Sequence, residues 1–156
     1  MSLVLQEISQ FNCAELIFVQ GAYDLTDLIP EDFTIINNDQ WELGLSSSVN
    51  CALDYCQKQG FDQAVFVFGN EVPINKELLE AVSLTSSPVA YPTYKNMSFR
   101  PVKIQSSLWP TIPIDSDNEV KIFHGFDSNV VTTIEILKPH VIIKTLSDLK
   151  KLETHL

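Results

Sequence analysis

The sequence has 156 residues, of which 45% are hydrophobic and 19% are charged, and its formal net charge is −10. A chain of this length buries roughly two-thirds of the surface that its unfolded form exposes, so it needs neither a metal nor a disulfide to fold. The negative charge repels polyanions, which excludes a general nucleic-acid binder. No apolar run approaches the roughly 18 residues of a membrane span, so we expect no membrane partner either.

The three cysteines indicate the compartment. Cys13, Cys51 and Cys56 are an odd number without close pairing, which is typical of a reducing environment. The first residues carry no basic region of the kind found in secretory signal peptides. We therefore expect a cytoplasmic protein with buried or inert thiols.

Helical and strand patterns alternate in the first half of the chain. Helices are predicted at residues 4–11, 46–59 and 74–83, and strands at 15–20, 34–38 and 63–68. This order is typical of an α/β fold. Because residues 65–68 are apolar enough to be buried on both faces, we predict a central parallel strand there, flanked by the helices near 46–59 and 75–83.

The second half of the chain is less regular. An acidic loop, "DSDNE" at 115–119, lacks the Gly and Glu spacing of an EF-hand. No linker or internal repeat interrupts the chain, so we expect one domain covering residues 1–156. Strands are predicted at 89–94, 100–105, 130–137 and 141–144, and a closing helix at 146–156.

The strand at 63–68 runs into Gly69-Asn70-Glu71-Val72-Pro73. In open α/β sheets, ligands lie beyond the carboxyl ends of the strands, so Asn70 and Glu71 stand where a site is expected. Neighbouring side chains of an extended segment point in opposite directions, which predicts that Glu71 is a solvated loop carboxylate. We interpret Arg100, before Pro101, as a surface arginine.

The stretch "ELGLSSSV" at 42–49 is a second candidate. Gly44 allows the backbone to approach a ligand closely. Ser46, Ser47 and Ser48 begin a predicted helix, where free N–H groups favour anions, and Trp41 could stack on a base. The structural alternative is that the serines cap the helix and that Trp41 packs the loop.

Five segments, in order, resemble the MobA-like nucleotidyltransferases, the family that transfers CMP or GMP onto the molybdenum cofactor. The resemblance implies a three-layer α/β sandwich with a mostly parallel sheet, like that of the nucleotide-diphospho-sugar transferases (Rossmann-like), without the first strand and Gly-rich loop. It also implies that Trp41, Gly44 and the three serines lie beside the nucleotide. The segments are "ELIFVQG", "IINNDQWELGLSSSVNCAL", "AVFVFGNEVPIN", "AYPTYKNMSFRPVKIQSSLWP" and "VIIKTLSDLKKL".

The sequence departs from the family at its chemistry. The Leu-Ala-Gly-Gly-x-Ser-x-Arg-Met-Gly loop that holds the triphosphate is missing, because "LVLQEISQF" already resembles the helix after it. The metal-binding Asp of Gly-Asp-Met-Pro matches Asn70, and a second acidic strand end matches Lys144. An amide is a poor ligand for Mg²⁺ and a cation repels it. We therefore predict no tight Mg²⁺ site at Asn70, Glu71 and Lys144.

These departures favour a catalytically degenerate MobA-like domain that acts by binding or association, with no catalytic residue and no cofactor. One alternative is an active nucleotidyltransferase that uses Mg²⁺ and CTP or GTP and obtains its loop from elsewhere. The other is a metal-independent binder of a nucleotide-like small molecule. Phosphoryl-type transfer needs metal to offset phosphate charge, so the first alternative requires the missing parts to be replaced.

The missing strand also predicts an interaction surface. Without it, the sheet should present a groove beside the strands at 15–20 and 65–68, and open strand edges recruit partners. We expect a partner chain or, since twofold dimers are the commonest oligomer, a homodimer. The candidate contacts are residues 3–11 and 130–137. The alternative is that residues 3–11 fold back and cover the sheet within one chain.

Overall fold

The computed structural model of the chain describes residues 2–145, 147, 148 and 150, without the side chains of residues 2 and 3. The predicted closing helix at 146–156 lies largely outside the described residues. None of the helices in the described part is long and apolar enough to cross a membrane. The α-helices are α1 (Ser2–Ser9), α2 (Leu45–Gln59), α3 (Lys76–Ser83) and α4 (Glu119–Phe123).

Nine strands and four short 3-10 helices complete the described secondary structure. The strands are β1 (Leu16–Gln20), β2 (Phe33–Asn37), β3 (Gln63–Phe66), β4 (Glu71–Val72), β5 (Val89–Tyr94), β6 (Met97–Ser98), β7 (Val102–Gln105), β8 (Val131–Glu135) and β9 (Val141–Ile142). The 3-10 helices are Thr26–Leu28, Trp41–Leu43, Ser106–Thr111 and Ser128–Val130.

The strands form three separate sheets. β1 and β2 make a parallel pair, and β4 and β9 make an antiparallel pair. The third sheet has the order β3-β7-β5-β6, with β8 parallel to β5 and every other pairing antiparallel. The prediction of a mostly parallel sheet is therefore wrong, and the architecture is a mixed α/β fold.

The prediction of a central parallel strand at 65–68 is also wrong. β3 ends at Phe66, and in the described chain its one strand neighbour is β7, which is antiparallel to it. The reason lies in the turn at Lys95 and Asn96, where positive φ angles of 48° and 66° reverse the chain and return β7 between β3 and β5. The apolar residues of this segment indicate that the strand is buried, but burial does not specify the direction of a neighbouring strand.

Helix ends follow the sequence signals more closely. Gly60 takes a left-handed conformation, φ 77°, and its N–H bonds the carbonyls of Cys56 and Gln57, which ends α2 as predicted. Asn75 caps α3 by accepting the N–H of Leu78 at 2.9 Å, also as predicted. These two helices bracket β3 in the chain.

Two apolar clusters form the core. The larger one packs α2 and the 3-10 helix at Ser106–Thr111 against the five-stranded sheet and includes Phe123, which is fully buried. The smaller one packs α1 on the β1–β2 pair through Leu5, Ile29 and Phe33. Residues 3–11 thus fold back onto the β1–β2 pair, as the alternative prediction held, but they do not join β1 to β3.

Candidate functional site

Glu71 lies at the strand end where the sequence predicted a site, but it is completely buried. Its Oε1 accepts the backbone N–H of Arg100 at 2.8 Å and contacts His140 Nδ1 at 2.9 Å. Its Oε2 lies 2.7 Å from Arg100 Nε. The prediction of a solvated loop carboxylate is wrong, because this carboxylate is buried and both of its oxygens contact groups of the protein.

Arg100 holds the cluster together. Only 6% of its side chain is exposed, so the prediction of a surface arginine is wrong. Its guanidinium lies 4.4 Å from the ring centroid of Phe68, and its Nη1 pairs with Glu119 Oε1 at 2.5 Å. Arg100 thus links β4 to α4 through two carboxylates and packs on Phe68, just beyond β3.

His124 lies at the border of this network and carries no charge at neutral pH. Burial, followed by the positive charge of Arg100, lowers its pKa from 6.5 to about 4. The ring meets Tyr91 edge to face at 4.5 Å between centroids, and its Nδ1 has no hydrogen-bond partner among the described residues. A neutral imidazole therefore packs beside the arginine instead of competing with it for Glu71.

The β4–β9 pairing brings the other two predicted metal positions together. The carbonyl of Asn70 accepts the N–H of Ile143 at 2.7 Å, next to Lys144 in the chain, and both side chains are exposed. The two positions therefore lie at neighbouring strand ends. They bring an amide and an ammonium group, and no group of three or more His, Cys, Asp or Glu residues poised for a metal exists among the described residues.

The amino end of α2 is occupied by the acidic loop. Gly44 is the N-cap residue, and its φ is 95°. A Cβ at this position would collide with the Asp117 carboxylate, so there is no room for a side chain. That carboxylate accepts the N–H of Leu45 at 2.7 Å. The predicted capping by serines is therefore wrong: the charge favoured by this helix end comes from a residue far along the chain.

The three serines are used in internal hydrogen bonds. Ser46 is fully buried, and its hydroxyl accepts the N–H of Ser116 at 2.9 Å. The amide of Asn38 donates to the hydroxyls of Ser47 and Ser48, both at 2.9 Å. These contacts fix the acidic loop and the end of β2 to α2. Among the residues predicted to lie beside a nucleotide, Trp41 has an exposed side chain.

Trp41 borders a polar cleft of about 350 Å³ at the carboxyl ends of β1 and β2. The tryptophan is 44% exposed and packs over Gly21. A Cβ added to Gly21 would lie 2.6 Å from the Cβ of Trp41. Hydrogen bonds to the side chain and backbone of Thr26 lower the pKa of Asp24 in this cleft. The lining residues are Gln20, Gly21, Tyr23, Asp24, Thr26, Asn37, Asn38, Asp39 and Trp41. The polar residues that end the two strands are the signal that sequence reasoning missed.

A second, mainly apolar groove of about 700 Å³ lies between β1 and β3. It is lined by residues 16–19 on one side and 63–70 on the other. We refer to it as the β1–β3 groove. The sequence predicted a groove beside these two strands, and this prediction is confirmed.

The fold is shared with solved mycobacterial structures. The chain matches Rv0371c from Mycobacterium tuberculosis H37Rv with a TM-score of 0.76 and 12% identity over 99% of this chain and 84% of that one. Rv0371c in complex with manganese matches at 0.72 and 14% identity, covering 97% and 84%. A homologue from Mycobacterium sp. strain JC1 matches at 0.72 and 17% identity, covering 98% and 80%. No family model and no curated protein matches the chain.

Proposed function

We propose that this chain is a MobA-like domain that has lost nucleotidyl transfer and acts by binding. The burial of Glu71 between Arg100 and His140 carries the proposal. An acid at the end of a strand can hold a metal only if its oxygens are free, and both oxygens of Glu71 contact cationic or N–H groups of the protein itself. Metal binding there would require breaking a buried ion pair.

The surroundings of that strand end point the same way. Asn70 is neutral and Lys144 is cationic, whereas Mg²⁺ and Mn²⁺ prefer carboxylate oxygens. The helix end that would favour phosphate already carries the Asp117 carboxylate. Transfer of a nucleotidyl group needs metal to offset phosphate charge, so this chain offers little support for it. Its free cysteines fit a cytoplasmic location.

Titration calorimetry tests the proposal. We expect no saturable binding of Mg²⁺ or Mn²⁺, with or without CTP or GTP, and Mn²⁺ is the sharper probe because one matched structure contains it. Micromolar binding of metal and nucleotide together, about −8 kcal/mol, contradicts the proposal and favours the active alternative.

A pair of variants tests whether the old geometry survives. Asn70→Asp with Lys144→Asp places two carboxylates at the paired ends of β4 and β9 and should raise Mn²⁺ affinity. The matched control is Asn129→Asp with Lys138→Asp, which makes the same change of charge at exposed positions elsewhere. Equal affinity of the two double variants would show that net charge, and not geometry, governs metal binding.

The polar cleft supports the metal-independent binder as a second candidate. It combines an exposed indole with amide and carboxylate groups at the carboxyl ends of two parallel strands, where α/β proteins bind ligands. Quenching of tryptophan fluorescence by nucleosides should be saturable in the native chain and absent in Trp41→Phe. Quenching that persists in the variant comes from Trp109 and excludes this cleft.

A further inference from the structure

The β1–β3 groove runs along two open strand edges. It contacts consecutive residues of both strands, Leu16 to Val19 of β1 and Gln63 to Phe66 of β3. Successive side chains point to opposite faces of a strand, so a cavity that contacts all of them lies at the strand's edge and not on one face. Within the described chain β1 pairs only with β2, and β3 pairs only with β7. Each therefore presents unpaired N–H and C=O groups to the groove.

Helix α2 shows that the two edges run in the same direction. Near the start of α2, Ser47 and Ser48 bond Asn38, which follows the end of β2. Towards its end, Tyr55 donates to Glu15 at 2.6 Å, just before β1 begins, and α2 then leads directly into β3. β1, β2 and β3 therefore all start at the carboxyl end of α2. A single strand between β1 and β3 would join them into one continuous sheet.

The other two walls of the groove specify what kind of strand fits. α2 contributes Val49, Ala52 and Cys56 on one face, and Leu79 of α3 lies among the apolar residues of the opposite face. A strand between such walls is covered on both faces and must be apolar throughout. Five residues, at about 3.3 Å each, span about 17 Å and match the length of β1.

Charge distinguishes the two ends of the groove. Glu15 and Asp62 line the end where β1 and β3 begin. The whole chain carries a formal charge of −10, so no excess of cations offsets them. An occupant with a basic residue at this end gains attraction, whereas an acidic flank is repelled.

We propose that the β1–β3 groove binds an extended, apolar segment of about five residues from a partner polypeptide, with a basic flank beside Glu15 and Asp62. The segment bonds to β1 and β3 at once. A folded second copy is a poor occupant, because walls formed by helices admit one strand and not the edge of an intact sheet.

The proposal rests on the proposed function in one respect, since both treat the chain as a binding module. The test uses a fluorescent peptide, Lys-Lys-Val-Ile-Val-Val-Ile, and the same residues in reverse order, because either end can carry the basic flank. The control replaces the central valine with proline, which removes an N–H donor and keeps the charge. We expect saturable 1:1 binding by one orientation of the valine peptides and none by the proline peptide.

Hydrogen exchange identifies where the peptide binds. Binding should slow exchange of amides in both Leu16–Gln20 and Gln63–Phe66 by about tenfold or more, because each strand gains bonds. Ala52→Phe fills the groove and should weaken binding by about tenfold or more, whereas Gln57→Phe, on the exposed side of the same helix, should not. Protection of one strand only, or equal binding by both variants, overturns the proposal.

Two further results separate the possible failures. If the native chain sediments as a dimer and the amides of β1 and β3 are already protected from exchange, the groove binds a second copy. That result would overturn the proposal of a partner polypeptide. Transfer of CMP or GMP by the peptide complex refutes the proposed loss of catalysis and leaves the groove proposal standing. Absence of both binding and transfer refutes the groove proposal alone.

Discussion

The ends of β3 and of the β1–β2 pair carry polar side chains in similar places, yet they differ in access to water. Beyond β3, Glu71 and Arg100 are buried and bonded to one another. Beyond β1 and β2, Gln20 donates to Asn37 at 2.8 Å at the wall of an open cleft. The first region satisfies its own charges, and the second leaves polar groups within reach of a ligand. A polar strand end can therefore bind a ligand only where its polar groups are not already paired inside the protein.

The largest expected effect comes from Glu71→Gln. The amide leaves Arg100 buried with less compensation, and breaking a buried ion pair costs about 3–5 kcal/mol of unfolding free energy. Urea denaturation measures the loss, with Glu77→Gln on the exposed side of α3 as the control. A loss similar to that of the control would mean that the buried network contributes little to stability, and the contrast between the two regions would disappear.

Acid should weaken the same region through His124. Its folded pKa of about 4 lies below its ordinary value of 6.5, so below pH 6.5 the unfolded chain takes up a proton that the folded chain excludes. The unfolding free energy therefore falls as pH drops from 6.5 to about 4, by up to about 3 kcal/mol. Comparing urea midpoints of native chain and His124→Phe across this range isolates the contribution. Parallel pH profiles would contradict it.

Gly44→Ala should cost about 1–3 kcal/mol from backbone strain, plus the displacement of Asp117. Gly60→Ala is the matched control, because its φ is also positive but nothing lies within 4 Å of a Cβ there. Thermal unfolding of both variants gives a difference that combines the Asp117 contact with the greater backbone strain at Gly44, whose ψ of −170° differs from the ψ of 22° at Gly60. If the two variants lose equal stability, the acidic loop is displaced without cost.

The smallest effect is expected at the open cleft. Asn37→Ala removes the acceptor of the Gln20 amide, but Asn37 is exposed and water replaces it, so we expect a loss of about 0.5–1 kcal/mol. Urea denaturation in parallel with Glu71→Gln makes the comparison direct. A cost near that of Glu71→Gln would show that the cleft is as closed as the β3 end.

Local features were predictable from the sequence because their causes are local. Gly60 ends α2 through its own left-handed backbone, and Asn75 caps α3 through a bond three residues away. The groove beside β1 and β3 was also predicted, because the resemblance noted from the sequence implied that these two strands lack a shared neighbour.

Non-local features were not predictable. The partners of Glu71 lie 29 and 69 residues away, so nothing near "GNEVP" indicates that its acid is buried. The carboxylate at the start of α2 comes from Asp117, 72 residues beyond Leu45, so the adjacent serines were a false signal. Strand direction depended on where β7 returns, and the apolar pattern of β3 carries no information about it.

The two open edges of the groove also affect how the protein behaves at high concentration. Unpaired strand edges are the surfaces through which chains join into aggregates. Here the edges lie between helices, and the formal charge of −10 opposes the close approach of copies. Salt screens that repulsion, with a Debye length of about 10 Å at 0.1 M and about 3 Å at 1 M. Light scattering should therefore show colloidal attraction growing with ionic strength, and a peptide seated in the groove should suppress it.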